Sequence, residues 1–430
     1  MKAFVKAVLA ATLFTTTTAA TAHDMVPAGP QTEPVLLQNG TVYTITNGVL
    51  ENADVLFDDG KIVAVGTNLE VPAQAQVIDI TGKHVYPGLI ALDTTLGLVE
   101  IGAVRASDDQ NEVGAITPEV SGHIAYNPDS EIIPTVRYNG VTHAEVVPQG
   151  ELIMGRSSLL KTDGWTYEDS AESLNVALHV NWPRAGLNTA WWERRSPAEQ
   201  RKANAEALQR LKDAFTEARA YYDAKLAGET NGTDLRWEAM SDLFTGTIQL
   251  FVHADDKRQI EQAVEFSKEY GFDLVIVGGR DAWRVTELLA TEQVPVIYGA
   301  MYGLPTRDDE PYDQAYRTPA LLAQAGVDFA LAYPGYWDVR NLAFGAGNSV
   351  AYGLDREAAL AAITLKPAQL MGVDAELGSI EVGKNASLIV SDGDILDHRE
   401  HGVELMFIDG GRVDLNNRHL QLYNKYKQKP

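Results

Sequence analysis

Two side chains stand where a fold presents reactive groups. His253 follows the apolar run Thr247–Val252 and precedes Ala254-Asp255-Asp256. An imidazole at a buried strand end suits a ligand or a general base, because it titrates near neutral pH. The same place also suits a hydrogen-bonded His beside the start of the next helix. Asp93 ends the apolar run Val85–Leu92. A charge at a buried strand end needs a partner, so Asp93 reads as a ligand, base or substrate anchor, or else as the cap of a loop turn. His143 and Glu145 alternate along Val141–Val147 and therefore share one face. Facing inward they would meet substrate as an acid/base pair or a substituted metal site; facing outward they form a polar pair against a helix. Tyr333 and Trp337, in Tyr333-Pro334-Gly335-Tyr336-Trp337-Asp338, offer an aromatic pocket for an organic ligand or a loop stiffened by proline. Trp191-Trp192 reads as a lid or as a packing anchor.

Other chemistries are excluded. The 430 residues contain no cysteine, so disulfides, thiolate catalysis, zinc–thiolate sites and iron–sulfur clusters are out. There is no serine nucleophile elbow, phosphate loop or dinucleotide fingerprint. The net charge is −24, from 59 acidic against 35 basic residues. Such a surface repels phosphate backbones and anionic headgroups and favours a small-molecule partner over nucleic acid.

These groups need elements to position them. Residues 1–22 read as a cleaved export signal: Lys2 and Lys6 precede Ala7–Phe14, and Ala20-Thr21-Ala22 offers a small-x-small cleavage site. The apolar run is far short of the roughly 20 residues that span a bilayer. A periplasmic or secreted protein without membrane insertion is expected. Residues 34–86 alternate apolar and polar around Asn47-Gly48 and Asp59-Gly60, a β unit built of hairpins. From 87 to 370, short β-rich runs such as Asp273–Val277 and Val294–Tyr298 alternate with helical patterns, which predicts βαβ units around a parallel sheet. A helical insert occupies about 187–228, with Ser196-Pro197 as its start and Gly228 as its stop. Residues 376–415 return to β, and 416–430 read as a polar tail that frays.

Two sets of phrases frame the chain. Gly60-Lys61-Ile62-Val63-Ala64-Val65-Gly66 and Ile80–Ile90 stand near the start, Ala359–Pro367 and Leu377–Ala386 near the end. With them the chain resembles the amidohydrolase superfamily, in particular its secreted imidazolonepropionase-like branch. The resemblance implies an α/β fold, a (β/α)8 TIM-type barrel with a flanking β-sandwich drawn from both termini. It further implies hydrolysis of carbon–nitrogen bonds other than peptide bonds, of the cyclic amide or N-acyl type, with divalent metal (Zn) as cofactor and homodimers as a common state. The family's ligands are a His-x-His after the first strand, a bridging Lys or Glu, two more His and a last-strand Asp. Here Asp93 and Thr95 stand at the His-x-His positions, Gly278-Gly279 at the second later His, and Tyr333-Pro334-Gly335 at the Asp. Lys161 is a weak match to the bridging Lys. His253 and Asp93 are the placed metal candidates and the catalytic candidates; His143, Glu145, Tyr333 and Trp337 are the substrate-binding candidates. Two ligands are fewer than the three plus water of a catalytic zinc. An inactive periplasmic binding or interaction protein on the same barrel is the alternative.

Overall fold

The computed structural model describes residues 26–230 and 232–430, so the expected leader over 1–22 lies outside the described residues. No described helix is long and apolar enough to cross a membrane.

The two chain ends form one hydrogen-bonded sheet. Its strands are β1 (Val35–Tyr43), β2 (Val49–Asp58), β3 (Lys61–Gly66), β4 (Gln76–Asp79) and β5 (His84–Pro87), joined by β14 (Leu388–Ser391), β15 (Val403–Ile408) and β16 (Gly411–Arg412), in the order 16-15-14-5-1-2-3 with β4 on β1. The chain ends meet where β5 and β14 pair antiparallel, Val85 opposite Val390. Apolar residues at alternate positions, among them Val55, Phe57, Val85, Val390 and Phe407, supply its core.

The second sheet is the barrel. Its strands are β6 (Leu89–Thr94), β7 (Val141–Val146), β8 (Ile153–Lys161), β9 (Ala171–Asn181), β10 (Gln249–Ala254), β11 (Leu274–Gly278), β12 (Val296–Tyr298) and β13 (Phe329–Leu331), side by side in sequence order. The ring nearly closes. Ile90 N–H donates to Ile363 O and Leu331 N–H to Ala362 O, so the 362–363 segment fills the gap between β13 and β6. Above it Thr95 N–H donates to Gly335 O. The departure from a regular (β/α)8 barrel is β8, antiparallel to both neighbours and reached without crossover helices. Ile90, Leu92, Leu159, Ala177, Phe251, Val275, Val277, Ile297 and Ala330 fill the lumen. Their odd or even position on each strand identifies the inward face.

The insert is one helix, Pro197–Leu226, opened by a capping box between Ser196 and Glu199. Residues 416–430 differ from the expected frayed tail. Arg418–Lys427 is helical, because Asn417 caps it by accepting from Leu420 N–H and His419 packs edge-on against Trp337.

Candidate functional site

The inward face of the barrel carries a polar network at the carboxyl ends of its strands, where this architecture places active sites. Glu145 on β7, His179 on β9 and His253 on β10 follow Ala177 and Phe251 in register and so point inward. His179 Nε2 is 3.1 Å from Glu145 Oε1, and His179 Nδ1 is 2.9 Å from His253 Nε2. Glu145 and His179 are fully buried.

Asp93 completes the network from β6. Its residue sits in the left-handed region at φ 55°, which Asp tolerates better than most residues. The pairing of β6 with β7 jumps there, from Ala91 opposite Ala144 to Thr94 opposite Val146. This bulge turns Asp93 N–H toward Glu145 Oε2, at 2.9 Å. Bulges of this kind re-aim side chains beside active sites. Thr94 secures it by donating from Oγ1 to Glu145 O.

The environments push the titratable groups apart. Burial, then the Glu145 and Asp255 charges, hold the Asp93 carboxyl well above the usual range. Burial pushes Glu145 up, but the bonds from His179, Asp93 N–H and Ser157 outweigh it and hold the carboxyl below its ordinary value. Burial, then His179, holds the His253 ring well below the usual imidazole value. The site thus pushes Asp93 toward its neutral acid, Glu145 toward its anion and His253 toward its neutral ring.

His253 and Asp93 both line a cavity of about 670 Å³. Its walls come from the loops after β9, β11 and β12, including Arg184, Arg280 and Thr306. Gly278 and Gly279 lie at φ 91° and 63° as the chain leaves β11. A Cβ on Gly278 would sit 2.8 Å from Asp255 Oδ1, so the position that carries a His in the resembled family accepts no side chain here without a shift.

The other expected residues fall elsewhere. His143 does face inward, but deeper in the lumen and away from the cavity. Its Nδ1 is 2.9 Å from Thr142 Oγ1, and its buried Nε2 has no hydrogen-bond partner, the nearest carboxylate being Glu172 at 3.8 Å. The outward, helix-facing alternative for His143 and Glu145 is thereby corrected: Ala144 and Val146 take that face. Lys161 pairs with Asp409 at 3.2 Å, not with the network. Tyr333 packs its ring against Tyr302, while its neighbour Pro334 reaches the cavity. Trp337 carries the Arg340 guanidinium over its ring, meets His419 edge-on and does not line the cavity. Trp191 and Trp192 are exposed and touch each other edge-on, which corrects their reading as an anchor for the insert. His179 went unread in the sequence; the signal was its place one residue before the end of the apolar run Val176–Val180.

Among the described residues, no three His, Asp or Glu side chains are placed to hold a metal ion. The nitrogens of His179 and His253 face each other, and the remaining nitrogen of His179 faces a carboxylate.

The family and fold comparisons agree with this architecture. The amidohydrolase family model matches residues 324–416. An amidohydrolase structure from Thermotoga maritima MSB8 superposes with a TM-score of 0.77 at 27% identity, over 88% of this chain and 99% of that one. The amidohydrolase tasK of Hapsidospora irregularis is 24% identical over 400 residues, which is 83% of this chain but 39% of the relative. The D-hydantoinase of Geobacillus stearothermophilus is 40% identical over 87 residues, 20% of this chain and 17% of the enzyme. The chain thus spans well under half the length of these two curated relatives.

Proposed function

We propose that this chain, which is similar to the amidohydrolase family over residues 324–416 and to an amidohydrolase structure over 88% of its length, is a hydrolase for non-peptide carbon–nitrogen bonds with its active site in the cavity at the barrel mouth. The observation that carries the reading is the Glu145–His179–His253 chain, which ends on the wall of the cavity that Asp93 also lines. A buried carboxylate is expensive unless it is paired. A lumen that holds one, with two imidazoles in line behind it, is organised for proton movement.

The roles follow from the protonation states. Glu145, as an anion, accepts from His179 Nε2–H. His179 Nδ1 then accepts from His253 Nε2–H, which leaves the lone pair of His253 on Nδ1. That nitrogen takes the proton of an attacking water. Protonated Asp93 donates to the amide carbonyl oxygen as negative charge develops there. As the tetrahedral adduct collapses, Asp93 takes that proton back and His253 gives the proton it took from water to the amide nitrogen, so the C–N bond breaks and the amine leaves. Groups pushed in opposite directions by their surroundings make such an acid/base pair. The family's divalent metal does not fit this donor set: binding at His253 Nε2 or at His179 would break the hydrogen bonds that orient the rings, and a third ligand is missing. No step here is routed through a metal. The imidazolonepropionase-like phrases and the D-hydantoinase match favour cyclic amides, with N-acyl compounds next.

The test is turnover of hydantoins, lactams, imidazolones and N-acyl compounds by protein purified without chelator, its metals counted by elemental mass spectrometry. Activity should survive metal stripping and fall by roughly 10²-fold or more in His253→Asn. Activity lost on stripping and restored by zinc would sink the metal-free mechanism. No turnover on any amide would leave the binding-protein reading, which the replaced ligand positions Asp93, Thr95 and Gly278 favour.

A further inference from the structure

We propose that the molecule bound in this cavity is an amide that also bears a carboxylate, held between Arg184 and Arg280. The proposal rests on the reading that this cavity is the substrate site.

Two arginines at or beside the cavity are already paired. Arg258 holds Asp256 through two contacts, at 3.0 and 3.2 Å. Arg307 holds the buried Asp281 in the same forked way, at 2.7 and 3.2 Å. Arg184 and Arg280 line the cavity, yet among the described residues neither has a carboxylate within ion-pair distance. In a chain with 24 surplus negative charges, that is where a partner from outside fits.

Both guanidinium groups hang from fixed backbone. Arg184 lies in the loop after β9. Trp182 N–H donates to His253 O, Gln259 Nε2 donates to Trp182 O, and Asn204 of the insert helix donates to Gly186 O. The loop is thus tied to the His253 strand, to the helix Lys257–Tyr270 and to the insert. Arg280 follows Gly278-Gly279 after β11. Its N–H donates to Asp255 Oδ1, and its Nη1 donates to Leu304 O, so the other donors of the fork are left. Strands β9 and β11 flank β10, so the two cations stand on either side of the strand that carries His253.

A planar guanidinium matches a carboxylate through two parallel hydrogen bonds. Asp255 and Asp256 share the rim, which a monoanion tolerates better than a phosphate dianion.

The experiment is calorimetric binding of matched probes: L-pyroglutamate against 2-pyrrolidinone, and N-acetyl-L-alanine against N-ethylacetamide, with inorganic phosphate alongside. The carboxylate member should bind about ten-fold or more tightly than its neutral twin. That preference should collapse in Arg184→Met and Arg280→Met and return in part in the Lys variants, which keep the charge but lose the fork. Thermal unfolding of each variant shows whether it is folded; Arg184 is exposed, so its removal leaves the core intact. Equal binding of both twins, an unchanged preference in both Met variants, no binding by any carboxylate probe, or tighter binding of phosphate each overturns the proposal. Binding is read without turnover, so the two readings fail separately. A carboxylate preference in a protein that hydrolyses no amide sinks the hydrolase alone. Hydrolysis of neutral amides without that preference sinks the anion site alone.

Discussion

His179 stands between an anion and a second imidazole: its Nε2 faces Glu145 and its Nδ1 lies 2.9 Å from His253 Nε2. One ring thereby fixes the tautomer of the next. If the carboxylate takes the Nε2 proton of His179, only Nδ1 is left to accept, and His253 must donate from Nε2. The order of three strands, β7, β9 and β10, thus sets the direction of a hydrogen-bond chain.

Removing His179 should cost more than removing the charge it faces. His179→Leu leaves the fully buried Glu145 without its imidazole partner, and an orphaned buried charge costs about 3 kcal/mol or more. Glu145→Gln keeps an acceptor for His179 and drops the charge, so its loss should be about 1 kcal/mol. Urea unfolding at pH 7 ranks the two. The reverse order would mean that Glu145 is protonated in the native protein.

The fold was readable because the barrel strands β10 to β13 are short apolar runs separated by helical patterns. Asp93 and His253 were readable because each ends such a run. Strand β8 was not, because Gly155, Arg156, Ser157 and Ser158 interrupt it. Its inward Ser157 serves a polar lumen by facing Glu145, while the outward Ser158 binds His123. Apolar periodicity fails where the inside of the barrel is itself hydrophilic. The same cause hid His179, whose partners lie 34 and 74 residues away. His143 shows the limit from the other side: its alternation with Glu145 correctly put both on one face, but spacing does not say how deep in the lumen each one lies.

The buried pair below the site should shape stability against pH. Burial, then the Asp409 charge, pushes the Glu172 carboxyl up to about 7, while burial pushes His143 down. Glu172 binds its proton more tightly folded than unfolded. Its contribution is therefore present below its unfolded value and is lost as pH rises toward 7. His143 acts oppositely: folding resists its charged form, so stability falls as pH drops below the usual imidazole value. Glu172→Gln should leave stability near pH 4.5 unchanged and raise it at pH 8 by on the order of 2 kcal/mol. Equal gains at both pH values would mean that Glu172 is ionised in the fold throughout.

Gly88 joins the two sheets, and its conformation is ordinary; the constraint on it is space. A Cβ there would lie 2.1 Å from Thr142 Oγ1, 2.5 Å from its Cγ2 and 2.8 Å from its Cβ. Thr142 is fully buried and branched at Cβ, so it has little freedom to retreat. Gly88→Ala should cost about 3 kcal/mol or more. Adding Thr142→Ala removes the two closest atoms but leaves the third, so the double variant should recover only part of the loss. Full additivity in denaturant unfolding would place the damage elsewhere.

Gln259 gives the sharpest test of how the cavity loop is held, because one side chain does two jobs with its two ends. Its Oε1 accepts from Asp256 N–H and closes the capping box of the helix Lys257–Tyr270. Its Nε2 donates to Trp182 O at 2.7 Å and to Pro183 O at 3.3 Å, at the root of the loop that carries Arg184. Gln259→Glu separates these jobs: a carboxylate still accepts from Asp256 N–H but cannot donate to two carbonyls, and it repels them. The helix should therefore stay capped, with global stability within about 1 kcal/mol of the parent. Amides of residues 184–188 should exchange with solvent about ten-fold faster, and binding of carboxylate ligands should weaken. Unchanged exchange there would show that Asn204 and Trp182 N–H hold the loop without Gln259. Faster exchange along the helix as well would show that the cap had failed, and Gln259→Leu, which loses both ends, would then behave the same way.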